Sequence, residues 1–123
     1  MSELLSRYCP RTEFDSYEDF KANYCCNEPE RFNFAYDIVD EWARIQPDKT
    51  ALVWTNDAGD MKRFSFTDIK RMSDRAANVF AAHGVKKGTV VMLILRQRPD
   101  VWVCMTALMK LGVNPLAAHM FTY

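Results

Sequence analysis

The sequence predicts an α/β fold: a β-hairpin followed by the first βαβ unit of a larger sheet domain, incomplete as a stand-alone domain. Three observations carry this reading. "TVVMLIL", residues 89–95, is a continuous apolar run after the turn "KKG", as expected of a strand buried on both faces of a parallel sheet. "PDVWVCMTALMKLG" places a proline at a first helical turn and a glycine at the end, with Val101, Trp102, Met105, Leu108 and Met109 at helical spacing. "VNPLAA" then begins a second short strand, which must lie parallel to the first across the helix. A two-stranded parallel unit needs in-plane neighbours and helices on both faces, and after Pro115 the 123 residues offer only "LAAHMFTY".

The earlier elements follow in order. "DSYEDFKANY" reads as a short helix capped by Ser16, with Asp19 completing a capping box and Tyr17, Phe20 and Tyr24 on the apolar face. "CCNEPER" is a loop. "FNFAYDIVDEWARIQP" reads as a better helix: Asn33 caps it, Phe34, Ile38, Trp42 and Ile45 share a face, and Pro47 ends it. Its acids Asp37, Asp40 and Glu41 are spaced like a catalytic pair but read as a solvated face. "ALVWT" and "KRFSF" alternate apolar and polar around "NDAGD", a hairpin pattern. "TDIKRMSDRAANVFAAHG" is a long amphipathic helix, with Thr67 as the candidate cap, Ile69, Met72, Ala76, Val79 and Phe80 as its stripe, and Gly84 just past its end.

Composition excludes several classes. Hydrophobic residues make up 49 % and charged ones 26 %, a globular balance. Sixteen basic residues offset sixteen acidic ones, so no long-range attraction favours nucleic acid or an anionic membrane. Arg96, Arg98 and Asp100 interrupt the most apolar stretch, leaving no run near the roughly 20 residues of a membrane span. The opening "MSELLSRYCPRTEFD" lacks an apolar core and a small-residue cleavage site, so a cytoplasmic location is expected. Cys9, Cys25, Cys26 and Cys104 fit that compartment as free thiols. Adjacent Cys25 and Cys26 lack the two-residue gap of zinc and redox sites and pair with each other only under strain. His83 and His119 are too far apart to suggest a metal centre.

From about Asp15 onward, the order of elements resembles the start of AMP-forming acyl-CoA synthetases, the adenylating family that includes acetyl-CoA synthetase and firefly luciferase. "FNFAYDIVDEWA" and "LRQRPDVWVCMTALMKLG" look most like the medium-chain branch. The resemblance implies that residues 1–31 form an N-terminal helix and loop. It implies that residues 32–123 form the start of the large AMP-binding domain, ending before the phosphate-binding loop. Enzymes of this family join a carboxylic acid to ATP, release pyrophosphate and pass the acyl group to coenzyme A, with magnesium bridging phosphate oxygens.

The parts that perform this chemistry lie downstream in the family. Here the glycines are Gly59, Gly84, Gly88 and Gly112, each isolated, and neither an "SGTTG"-like run nor a G-x-x-x-x-G-K-[ST] loop occurs. The resemblance therefore assigns no catalytic, cofactor-binding or metal-ligating residue. It does place His119 and Met120 at the family's "HM", beside the carboxyl end of a strand, where open α/β sheets hold ligands. His119 is the candidate substrate-lining residue. Arg96 and Arg98 could face an anion such as a coenzyme A phosphate, although a solvated loop suits them too. Near the end "GVNPLAAHMFTY" departs from the family's "GAV…IPATHMLT", and Pro115 lacks the N–H a mid-strand position needs, which weighs against that strand. Two readings of function follow. One is the N-terminal, structural segment of a fatty acid–CoA ligase, inactive alone, partnered by the remainder of the synthetase or by a self-associated copy. The other is a stand-alone interaction module docking on a synthetase or another partner.

Overall fold

The structure, a computed structural model, describes residues 3–118 and divides into two compact units, Met1–Phe32 and Asn33–Tyr123. In the first, helix α1 spans Glu3–Tyr8 and α2 spans Tyr17–Asn23. The sequence reading did not foresee α1, which at six residues has no periodicity to display. Ser16 caps α2 by accepting from the Asp19 amide at 3.1 Å. The reciprocal half of the box is displaced by one residue: Asp19 accepts from the Asp15 amide at 3.0 Å and forks onto the Arg11 guanidinium. These bonds, first that from the Asp15 amide, hold the Asp19 carboxyl below its ordinary value against the opposing pull of desolvation. Phe20 and Tyr24 pack with Phe14 as an aromatic cluster, while Tyr17, expected on the same face, points to solvent.

The second unit opens on Asn33. Its side-chain oxygen accepts from the Ala35 amide at 3.0 Å, and its amide group donates to the Met109 carbonyl at 2.7 Å. A π-helical segment, Ala35–Asp40, runs into α3, Glu41–Ile45. The buried line is Ala35, Val39 and Ala43, one position off the predicted Phe34, Ile38 and Trp42. Small side chains on that line let the backbone approach the neighbouring helix closely, and the bulkier face is left beside open space.

Strands β1 (Thr50–Thr55) and β2 (Met61–Ser65) form the antiparallel hairpin, with Leu52 opposite Phe64 and Trp54 opposite Lys62. Helix α4, Phe66–Ala82, starts two residues earlier than a cap at Thr67 would set it. Ser65 is the cap: its hydroxyl accepts from the Asp68 amide at 3.1 Å, and the Asp68 carboxylate accepts from the Ser65 amide at 3.0 Å. Thr67 instead donates its hydroxyl to the Pro47 carbonyl at 2.9 Å. The correction is physical, because Ser65 is the last residue with extended backbone and Asp68 stands three positions on, the capping-box spacing. Ser65→Ala should lower unfolding free energy by about 1 kcal/mol, read as a drop in urea midpoint at unchanged slope, and Thr67→Ala should cost less.

Strand β3 (Val90–Ile94), helix α5 (Pro99–Lys110) and strand β4 (Asn114–Ala118) form the parallel βαβ unit. The last strand pairs through five registered positions, Pro115 among them opposite Val91. An edge strand tolerates the missing N–H that weighed against it. Helices α4 and α5 end alike. Gly84 and Gly112 take the left-handed conformation at φ +82° and +67°, and the next amides, of Val85 and Val113, return to the Phe80 and Leu108 carbonyls at 3.1 and 3.0 Å. These are Schellman closures, each folding a valine back onto the helix it ends.

Two apolar clusters result. Val39, Ile69 and Val103 gather Ala51, Leu52, Phe64 and Phe66. Leu93, Leu108 and Val113 gather Phe80, Val85, Val91, Leu95 and Met105. The buried side of α4 is Ile69, Ser73 and Ala77, and Val79 of the predicted stripe is exposed. On α5 the buried line is Val103, Thr106, Ala107, Leu108 and Lys110, and the predicted Trp102 stands 57 % exposed. Among the described residues, strand β3 is covered on the α5 side only: Val90, Met92 and Ile94 on its other side are 76 %, 57 % and 54 % exposed.

Candidate functional site

The concave surface of the second unit lies where β3 ends. Loop residues Arg96, Gln97 and Arg98, the start of α5 and strand β1 enclose a cleft of about 510 Å³. Its geometry is set by one long-range bond, from the Trp54 indole N–H to the Gln97 carbonyl at 3.1 Å, which ties the hairpin to the loop. Trp102 forms a wall of this cleft and also of a second, apolar groove of about 320 Å³ lined by Phe34, Ile38, Trp42 and Phe66. The predicted apolar face of the helix capped by Asn33 (Phe34, Ile38 and Trp42) thus lines an open groove rather than the core. Trp42 stacks on Phe66 with centroids 5.8 Å apart, and the Lys49 ammonium lies over the Trp42 ring at 3.6 Å from its centroid.

The structure places the sequence candidates as follows. Arg96 and Arg98 both stand at the cleft and both are exposed; Arg98 pairs with Asp100 at 3.3 Å. His119 and Met120 lie outside the described residues. His83 closes α4 with its Nδ1 2.8 Å from the Val79 carbonyl oxygen, a helix-end contact. Burial pushes the Cys104 thiol up, with Asp100 adding to it, so this half-buried cysteine is not an activated nucleophile.

Sequence reasoning missed the most concentrated polar feature. Asp40, assigned to a solvated face, accepts from the Lys110 ammonium at 2.8 Å, and Asp74 of α4 accepts from the same nitrogen at 2.6 Å. Lys70 donates to Asp74 at 2.8 Å and stands 3.6 Å from Asp40. The Lys110 side chain is only 2 % exposed. The cluster joins three elements through alternating charge and leaves neither carboxylate free. Of the other two acids on that helix, Asp37 accepts from the Asn33 amide at 2.6 Å and Glu41 pairs with Arg44 at 2.8 Å.

These residues do not fit a nucleotide with its metal. Magnesium is held by carboxylate oxygens and phosphates, and the convergent carboxylates here are committed to lysines. Among the described residues no group of three metal-ligating side chains occurs. The glycines sit singly, each in its own turn at positive φ, rather than in a run whose amides could cradle phosphates. What the cleft offers is an exposed tryptophan, backbone carbonyls and two arginines: a surface for packing, with no acid, base or nucleophile converging on it among the described residues.

Residues 39–119 match the AMP-binding enzyme family. The chain belongs to that family. Among its relatives, the mitochondrial acyl-coenzyme A synthetase ACSM5 of Homo sapiens is 37 % identical over 90 residues, covering 68 % of this chain and 16 % of that protein. The mitochondrial acyl-coenzyme A synthetase ACSM3 of Homo sapiens is 33 % identical over 105 residues, covering 80 % of this chain and 18 % of that protein. The acyl-CoA synthetase branch expected from the sequence is therefore the branch of the relatives. The AMP-binding family chain spans less than a fifth of the length of the curated relatives it matches. Acetoacetyl-CoA synthetase from Streptomyces lividans superposes with a TM-score of 0.67 at 22 % identity, over 72 % of this chain and 14 % of that one. That likeness establishes the fold: mixed helix and strand, with small two-stranded sheets, as in part of an adenylate-forming enzyme.

Proposed function

We propose that this chain is the N-terminal segment of an ATP-dependent, AMP-forming fatty acid–CoA ligase of medium-chain type, with a structural role and no activity alone. The single observation carrying the reading is the half-covered sheet. "TVVMLIL" is apolar on both sides, yet Val90, Met92 and Ile94 stand open. A parallel sheet of this family needs further strands and helices on that side, and the remainder of the synthetase is the partner that supplies them. Residues 32–123 then contribute the first sheet elements, residues 1–31 an N-terminal helix and loop, and His119 lines the substrate pocket of the complete enzyme. ATP, magnesium and coenzyme A belong to that complete enzyme, bound by residues outside this chain.

Among the described residues no helix is long and apolar enough to cross a membrane. Cysteines left as thiols suit a reducing compartment such as the cytoplasm, while the curated relatives are named mitochondrial. Subcellular fractionation separates those locations.

The test of the functional reading is acid-dependent ATP–pyrophosphate exchange by the purified chain across fatty acids of increasing length. Exchange at the level of the enzyme-free blank is the expected result, and exchange above it overturns the reading. The same open sheet side favours, as a second reading, an interaction module that docks on a full-length synthetase. It predicts co-purification with an intact synthetase, whereas a structural segment is found only as part of the longer protein.

A further inference from the structure

We propose that Cys9 and Cys26 form a reversible disulfide clasp, closed by a peroxide oxidant, between the end of α1 and the loop after α2. The site lies wholly in the first unit and does not depend on the ligase reading. Its basis is one backbone hydrogen bond. The Asn27 amide donates to the Tyr8 carbonyl at 2.7 Å, and the Asn27 side chain donates to the Arg7 carbonyl at 3.3 Å, so Asn27 closes the end of α1. Cys9 follows the Tyr8 carbonyl and Cys26 precedes the Asn27 amide, so the two cysteines flank that single bond and their Cα atoms lie within about 8 Å of each other. A disulfide requires about 4.4–6.8 Å. The Cys9 sulfur is also close enough to Cys26 and Tyr24 to push both groups up from their ordinary values. Cys26 is exposed and Cys9 half-buried, so an oxidant reaches one sulfur while the other waits against it. Adjacent Cys25 stands one residue further from that bond.

Partial desolvation of its sulfur, and then Cys9 beside it, push the exposed Cys26 thiol up, with Glu28 and Cys25 adding to the effect. Little thiolate is present at neutral pH and more forms as the pH rises, so closure is slow near neutrality and faster under alkaline conditions. In the first step the Cys26 thiolate attacks hydrogen peroxide, its sulfur keeps one oxygen as sulfenic acid, and the departing hydroxide is protonated to water. In the second the Cys9 sulfur forms the S–S bond and displaces that oxygen, which leaves as water with the Cys9 proton. Two thiols lose two electrons, and one peroxide becomes two waters.

The experiment treats the reduced full chain with hydrogen peroxide at mildly alkaline pH, blocks remaining thiols and digests with trypsin. Peptide 8–11 joined to peptide 22–31, and separated again by a dithiol reductant, is the expected product. Cys25→Ser should keep the link, whereas Cys26→Ser should reduce it by roughly tenfold under native conditions. In concentrated guanidinium, where the Asn27–Tyr8 bond is gone, the two variants should link equally. Three outcomes overturn the proposal: a peptide 22–31 oxidised within itself at Cys25–Cys26, equal linking by both variants in the native chain, or peptide 8–11 recovered unlinked.

Discussion

Replacing Leu108 by alanine is expected to lower the unfolding free energy by about 3–4 kcal/mol, the middle of the range for a fully buried leucine. Leu108 is completely excluded from solvent and stands at the centre of the cluster made by Leu93, Val113, Phe80, Val85 and Met105. Two parts make up the cost: the transfer of the lost methyl and methylene groups, and the cavity left behind. The second is set by how far the walls can collapse, and here they are pinned. Strand β3 is held by its parallel ladder to β4, while the Schellman bonds fasten Val85 to α4 and Val113 to α5. The backbone carbonyl of residue 108 keeps its bond from the Val113 amide in the variant, so the loss reports packing alone. Urea unfolding followed by circular dichroism measures it.

The informative control is Ile94→Ala on the opposite side of the same sheet, where the side chain is 54 % exposed. In the isolated chain it should cost under about 1 kcal/mol, the value of a half-buried aliphatic group. Equal losses for Leu108→Ala and Ile94→Ala would mean that the open side of the sheet is covered in solution, by a second copy or a partner.

How much of this was legible in the sequence divides along physical lines. Local chemistry could be read directly. Pro99 starts α5, Gly84 and Gly112 end helices, and "NDAGD" turns the hairpin, because each acts through backbone conformation within a few residues. Helix faces were read less well. Bulk suggested Phe34, Ile38 and Trp42 as the inward side, but close helix packing selected Ala35, Val39 and Ala43, and the bulky face was left lining a groove. Long-range polar partners could not be read at all: Lys110 and Asp40 stand 70 positions apart, and Trp54 and Gln97 stand 43 apart. A terminal lysine on an apolar helix looks like an ordinary favourable charge at a helix end. Nothing local says that it is buried. At the site, the strand-end loop carrying Arg96 and Arg98 was legible, whereas the cleft itself depends on the Trp54 bond that the sequence does not announce.

The buried lysine yields the second large expected effect. Lys110→Met keeps most of the side-chain volume and removes the charge, leaving Asp40 and Asp74 facing each other across a poorly solvated space. Removing one member of a fully buried ion pair costs about 3–5 kcal/mol. The loss here should be smaller, about 2–3 kcal/mol, because Lys70 still reaches both carboxylates and Asp74 is 42 % exposed. The acid side of the profile separates charge from packing. Burial alone pulls the Asp74 carboxyl upward, but the hydrogen bonds from Lys110 and Lys70 outweigh it and hold the group below its ordinary 3.8. A depressed carboxyl stabilises the fold above its unfolded value and loses that contribution as the pH falls through its folded value. The gap between wild type and Lys110→Met should therefore be full at neutral pH and shrink below pH 3.8 as the Asp74 carboxyl protonates. A gap that persists undiminished in acid would assign the loss to packing of the lysine stem. Asp40→Asn in both backgrounds completes a double-mutant cycle, and a coupling of about 1–2 kcal/mol at neutral pH is expected for groups in direct contact. Additive effects would show that the π-helical segment and α5 are held together by Asn33 and apolar packing, with the ion cluster contributing nothing of its own.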